Sequence, residues 1–268
     1  MKQTLQYKSS QIAYYTYGSG DQMLFCYHGY GLDGSCFEVL ETVLGTKYTL
    51  FCIDLPFHGG TDWQEGLSFN SHDLIKIMTA LNFKSDETFS LLGYSMGGRI
   101  VLQVLEDYPK FIKQVALVAP DGLRFNAWQH FATHTKVGKR LFKFTMDYPM
   151  WFFGLVKVFY KLHLLTRPMA KFVHYHIDSG IERDILYKRW NVLQAFKPNL
   201  KDIKHVIHEN KIPVNLLFGE YDRVIKTKQG IIFSADEPLI TVSQTKSGHK
   251  ILKEQFAEDV GGLLDKKR

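Results

Sequence analysis

Leu91-Leu92-Gly93-Tyr94-Ser95-Met96-Gly97-Gly98-Arg99 reads as a strand running into Gly-x-Ser-x-Gly and then into a helix. The turn is so sharp that glycines are needed two residues before and two after the serine, where side chains would collide. The strain holds the serine hydroxyl out at the top of a sheet. The serine of a bare Gly-x-Ser-x-Gly carries no chemistry by itself, but here both flanking elements are those the turn requires.

Outward from this turn, short apolar runs alternate with helical periodicity. Residues 23–27, 49–53, 89–92 and 115–119 are continuous apolar runs bounded by Gly, Pro or Asp, as expected of strands buried in a largely parallel sheet. Residues 5–8 and 12–17 alternate around Ser9-Ser10-Gln11 and predict a hairpin. Residues 37–44, 74–81 and 100–105 carry apolar residues at three- and four-residue spacings, the pattern of crossover helices. The strand pattern stops after Ala119 and resumes at 214–218 and 239–242, followed by a closing amphipathic helix over 251–264. The expectation is an α/β fold: a mostly parallel sheet flanked by helices, with a helical insertion late in the order.

The insertion differs in composition. Residues 123–211 hold 16 of the 33 basic residues, 6 of the 27 acidic ones, 16 of the 38 aromatics and 7 of the 11 histidines. That shift divides the chain into a core of 1–122 and 212–268 and a helical lid of 123–211. Basic and aromatic residues together also occur in nucleic-acid binders, but no nucleic-acid motif accompanies them here. The run at 146–165, MDYPMWFFGLVKVFYKLHLL, instead suggests helices that are apolar on more than one side with lysines at the edges. A lid over a small-molecule substrate is the expected role, with peripheral lipid contact left open. No stretch approaches the roughly 18 apolar residues of a membrane span. Cys26, Cys36 and Cys52 form an odd set without Cys-x-x-Cys spacing, which predicts reduced thiols and a cytoplasmic setting. The oligomeric state is not legible.

A serine hydroxyl needs a base to take its proton and a carboxylate to orient that base. Asp222, in Gly219-Glu220-Tyr221-Asp222, and His249, in Ser247-Gly248-His249, each follow a strand in the order Ser95, Asp222, His249. Asp121 and Glu220 are the competing carboxylates; Asp121 reads as a turn residue, and Glu220 should reach the histidine less well. His28-Gly29-Tyr30-Gly31-Leu32-Asp33-Gly34 follows the 23–27 strand, and backbone N–H groups of Tyr30 and Met96 are the expected oxyanion donors. His28 reads as a structural residue beneath that loop. Tyr94, Arg99, Trp128 and Trp151 are candidate substrate contacts. Among the histidines, His130 and His134 have metal-like spacing without a glutamate or third ligand, and His174 and His176 are likewise unsupported, so neither metal nor cofactor is expected.

Together these motifs resemble the α/β-hydrolase superfamily. HGYG at 28–31, Asp54-Leu55-Pro56-Phe57-His58-Gly59-Gly60, GYSMGG at 93–98, GEYD at 219–222 and SGH at 247–249 stand in that family's order. The family usually has glycine where Phe57 stands. The resemblance implies an α/β-hydrolase fold with a helical cap and a serine hydrolase acting on carboxylic esters or related acyl compounds. Ser95 argues against epoxide hydrolases and haloalkane dehalogenases, which carry aspartate there. HGYGLDG resembles the loop of carboxylesterases such as the pimeloyl carrier-protein methyl ester esterase. GYSMGGR resembles the menaquinone-pathway succinyl-hydroxy-cyclohexadiene-carboxylate synthase, which implies a second reading: a lyase or C–C bond hydrolase whose anionic substrate is held by arginines, Arg99 among them and others drawn from Arg124, Arg140, Arg167, Arg183 and Arg189. A non-catalytic ligand receptor is the third.

Overall fold

The computed structural model describes residues 2–81, 83, 87–124, 127–164, 175 and 177–265, with the backbone alone for Trp128 and Gln129. The chain divides into two units: Met1–Glu65, Phe69–Arg124 and Phe196–Arg268 form the first, Gly66–Ser68 and Phe125–Ala195 the second.

The first unit is built on one eight-stranded sheet. Its strands are β1 (Lys2–Tyr7), β2 (Ser10–Tyr17), β3 (Gln22–Tyr27), β4 (Tyr48–Ile53), β5 (Phe89–Tyr94), β6 (Ile112–Val118), β7 (Val214–Gly219) and β8 (Ile240–Thr245). Their order across the sheet is β1-β2-β4-β3-β5-β6-β7-β8. The β1–β2 hairpin joins β4 antiparallel, and every later pairing is parallel. The continuous apolar runs follow from this topology, because a parallel strand between helical layers has no wet face. β5 and β7 are buried at every position.

The helices of this unit are α1 (Glu41–Leu44), α2 (Ser71–Ala80) and α3 (Met96–Asp107), then, past the second unit, α8 (Leu200–Asn210), α9 (Thr227–Ser234) and α10 (Ala257–Asp265). Two differ from their sequence patterns. Residues 37–44 do not make one helix: a 3-10 stretch, Gly34–Leu40, precedes the single turn of α1. Its start is pinned, since Asp33 caps Ser35 N and the Asp54 carboxylate takes the Gly34 N–H at 2.7 Å. The closing helix begins only at Ala257, because Ile251 is wholly buried in the core cluster and Lys253 is extended at φ −147°.

The second unit holds α4 (Ala127–His134), α5 (Lys136–Asp147), α6 (Met150–Lys161) and α7 (Gly180–Val192). It closes at Ala195, whereas the composition shift runs on to 211. Phe196 is buried 5.5 Å from the Phe69 ring, Lys197 N and Asn199 N donate to Gln103 and Glu106 of α3, and Ile203 and Ile207 bury one face of α8. α8 therefore belongs to the first unit, and its basic residues decorate only its outer side. Thr135 caps α5 by accepting from Gly138 N at 2.9 Å. Among the described residues no helix is long and apolar enough to cross a membrane.

Candidate active site

Ser95 sits between β5 and α3 at φ 51° and ψ −114°, a conformation a side chain adopts only under constraint. The constraint is visible in its neighbours. A Cβ on Gly97 would stand 1.8 Å from the Tyr27 carbonyl oxygen, so no other residue fits without moving β3. Ser95 N donates to Val118 O at 3.0 Å, and Ser95 O accepts from Gly98 N at 2.9 Å and Asp121 N at 2.8 Å. The turn is thus fastened on both sides.

Asp222 follows β7 and His249 follows β8, adjacent parallel strands whose ends lie side by side. The loops approach backbone to backbone: a Cβ on Gly219 would stand 2.2 Å from Gly248 O, and Tyr221 N donates to Ser247 O at 2.9 Å. The result is a continuous chain of hydrogen bonds. Ser95 Oγ lies 3.0 Å from His249 Nε2, and His249 Nδ1 lies 2.7 Å from Asp222 Oδ2. With the carboxylate on Nδ1, the proton of the neutral ring belongs there, which leaves the Nε2 lone pair facing the hydroxyl.

Asp222 is held as an anion. Burial opposes ionisation, but the hydrogen bond with His249 and those from Ile225 N (3.0 Å) and Val224 N (2.7 Å) outweigh it and keep the carboxyl below its usual range. Asp121 is engaged elsewhere, in an ion pair with Arg99 at 2.9 Å. Glu220 is exposed. Tyr94 donates its hydroxyl to His249 O at 2.9 Å and stacks on the imidazole with ring centroids 5.7 Å apart. Burial pushes its phenol up to about 12, so it stays a neutral donor.

The loop after β3 lies against the serine. A Cβ on Gly29 would stand 3.3 Å from Ser95 Cβ, so this loop packs against the serine at Gly29, while Met96 opens α3 with its N–H at the positive end of the helix. His28 is fully buried; its Nε2 accepts from Leu55 N at 3.0 Å and its Nδ1 donates to Gly29 O at 2.8 Å. Both ring nitrogens are committed to backbone.

Asp54 is a residue to which sequence reasoning assigned no role. It is wholly buried, and its two oxygens accept from Gly34 N (2.7 Å) and Gly60 N (2.8 Å), tying together the loops after β3 and β4. Burial raises its pKa, against those two hydrogen bonds. A lone aspartate between an apolar strand and proline was the only available signal. Phe57 takes φ 63°, the left-handed conformation that suits the glycine usual at this position in the resembled family.

In the second unit Trp151 packs beside Phe152 and Phe144, at 5.8 and 6.4 Å between ring centroids. The Trp128 side chain, Arg167, His174 and His176 lie outside the described residues. His130 and His134 stack at 4.6 Å, and His134 Nε2 hydrogen-bonds Gln194 O at 3.0 Å. Among the described residues no group of three or more His, Cys, Asp or Glu side chains could hold a metal ion.

A family model described as alpha/beta hydrolase fold matches residues 22–251. The uncharacterized hydrolase YugF of Bacillus subtilis (strain 168) is 24% identical over 248 residues, covering 88% of this chain and 86% of that protein. The pimeloyl-[acyl-carrier protein] methyl ester esterase of Neisseria meningitidis serogroup B (strain MC58) is 24% identical over 225 residues, 77% of each chain. Among solved structures, MGS-M2, an alpha/beta hydrolase from a deep-sea metagenome library of the Medee basin, superposes with a TM-score of 0.68 at 16% identity, over 99% of this chain and 98% of that one.

Proposed function

The chain belongs to the alpha/beta hydrolase family, and from that premise we propose that it hydrolyses a carboxylic ester or related small acyl compound through Ser95, His249 and Asp222. The observation that carries this reading is the unbroken hydrogen-bond chain from Ser95 Oγ through both nitrogens of His249 to Asp222. In the proposed reaction Ser95 Oγ attacks the acyl carbon while His249 Nε2 takes its proton. Asp222 stabilises the imidazolium, and the N–H groups of Tyr30 and Met96 stabilise the oxyanion. His249 then protonates the departing alcohol. Water, activated by the same imidazole, releases the acid from the acyl-enzyme and restores Ser95. Methyl ester cleavage by the Neisseria relative, named for that activity, supports the same bond type. The helical unit would set substrate choice while the sheet-borne residues perform the chemistry.

A lyase acting on an anionic substrate would need guanidinium groups turned toward that substrate. Arg99 is paired with Asp121, and Arg183 donates to the carbonyl oxygens of Met146, Ile177 and Asp178, which favours the plain ester reading. The test is turnover of a short p-nitrophenyl ester. Ser95→Ala should lower kcat by about 10⁴- to 10⁶-fold with the fold retained. Little turnover in the parent protein, and no loss in the variant, would point to the receptor reading.

A further inference from the structure

α5 and α6 repeat one sequence pattern. Val137, Leu141 and Phe144 follow one another at four- and three-residue spacing along α5, and Tyr148 extends the series past the helix end. Trp151, Leu155 and Val158 do the same on α6, with Leu162 at its cap. That spacing puts each series on one stripe of its helix, the side that a helix in water ordinarily turns inward. Here both stripes face outward: Val137 is 68% exposed, Tyr148 64% and Leu162 61%, and Met150, where α6 begins, reaches 78%. α5 buries a different side, through Gly138, Thr145 and Met146, and α6 buries Val156. The stripes meet at the turn between the helices, where the Phe144 ring lies 5.2 Å from Tyr148 and 6.4 Å from Trp151. Basic residues border them. Lys136, Arg140 and Lys143 each stand one residue before a member of the α5 stripe, and Lys157 and Lys161 one before Val158 and Leu162. One residue is a rotation of about 100°, so these cations form a second stripe beside the apolar one. All five are exposed. Residues 136–161 carry six basic residues against the single acid Asp147, which lies 3.8 Å from Lys143.

We propose that α5 and α6 form a docking surface for an anionic lipid bilayer. A contiguous apolar patch left to water on a soluble protein marks an interaction surface, and charge complementarity selects this partner. The lysine and arginine heads meet headgroup phosphates, while the apolar stripe beside them enters the acyl boundary. Long basic side chains suit that depth, since their stems cover apolar surface and their heads stay in water. Tyr148 and Trp151 are ring types enriched at such an interface. The proposal concerns the second unit by itself and is independent of the ester-hydrolase reading.

The test mixes the full chain with vesicles of phosphatidylcholine alone, or of phosphatidylcholine and phosphatidylglycerol in equal parts, and separates bound protein by flotation. Binding is expected on the anionic vesicles and should weaken as salt is raised. Lys157→Gln with Lys161→Gln should weaken it about 25-fold, at roughly fivefold for each cation. Lys201→Gln with Lys228→Gln removes the same charge from exposed positions of the first unit and should leave binding unchanged. An equal loss in that control would assign binding to net charge and overturn the proposal. Met150→Ser with Val158→Ser, at exposed positions, should cost about tenfold or more with circular dichroism unchanged. Lipid brominated on its acyl chains should quench tryptophan fluorescence more in the parent than in Trp151→Phe. Absence of binding to anionic vesicles, binding as strong on phosphatidylcholine alone, or equal quenching in parent and Trp151→Phe would each overturn the proposal. So would a dimer of the parent that vesicles leave intact and that Met150→Ser with Val158→Ser dissolves, since the patch would then belong to a second copy of this chain.

Discussion

Asp222 and Phe57 show how single residues are constrained at this site. Asp222 Oδ2 faces the imidazole while Oδ1 is occupied by two backbone N–H groups, so the carboxylate cannot rotate without losing one set of partners. Asp222→Asn keeps the shape but can present an amide N–H to Nδ1, favouring the wrong tautomer. By analogy with the serine-protease triad, kcat on a p-nitrophenyl ester should fall by about 10⁴-fold with thermal unfolding little changed. A loss below about tenfold would remove Asp222 from the proposed triad. Phe57 pays for its ring with a left-handed backbone. Phe57→Ala and Phe57→Gly both delete the ring, but only glycine relieves the φ of 63°. Urea titrations should therefore find the glycine variant more stable than the alanine variant by about 1–2 kcal/mol.

At the level of elements, α2 is anchored by one carboxylate with several obligations. Asn70 and Asp73 form a capping box, and Asp73 also accepts from Tyr7 OH at 2.6 Å and from Lys8 at 2.9 Å, fastening the helix to the first strand. The Lys8 contact contributes little because the lysine is half exposed. The buried Tyr7 hydroxyl and the cap dominate, and Asp73→Ala should cost about 1–3 kcal/mol. Burial works against ionisation of Asp73, but Tyr7, Lys8 and Asn70 together hold its pKa below the usual carboxylate value. A depressed folded-state pKa contributes stability that is complete above the unfolded value of about 3.9 and disappears as pH falls through the folded one. The stability gap between parent and Asp73→Ala should accordingly be widest near pH 7 and narrow below about pH 4. Urea midpoints at pH 7, 5 and 3 measure this directly, and a gap independent of pH would assign the effect to lost packing.

Across the whole molecule the two units are unequally packed. The largest fully buried side chains, among them Tyr27, Tyr48, Phe25, Phe37, Phe89 and Phe218, belong to the first unit. The second leaves Phe144, Met150, Val158 and Tyr160 exposed and surrounds a cavity. Fewer buried contacts per residue mean less free energy holding the helices in place. Trp128, Trp151 and Trp190 fall in the second unit and Trp63 in the first, so the probes separate. In urea, tryptophan fluorescence should change at a lower midpoint than the far-ultraviolet circular dichroism of the whole chain. Coincident transitions would instead indicate one cooperative unit.

Much of the fold was legible because its constraints are local. Gly93 answers to sterics within a few residues, since a Cβ there would stand 2.7 Å from Gly97 O, and unbroken apolar runs follow from strands buried on both faces. The order of Ser95, Asp222 and His249 was likewise readable, since each stands just past a strand end and parallel strands bring those ends together. What depends on approach across the sequence was not. The resemblance at GYSMGGR offered Arg99 to an anionic substrate, and its pairing with Asp121 could be seen only in the fold. Asp54 gained its role only when the Gly34 and Gly60 loops converged on it. Residues 196–211 share the composition of the insertion yet pack on α3, because the buried face of an amphipathic helix, not its exposed charge, decides which unit it joins. Short-range sterics and periodicity are written in neighbouring residues, whereas partners for buried charges and the space between helices exist only once distant segments meet.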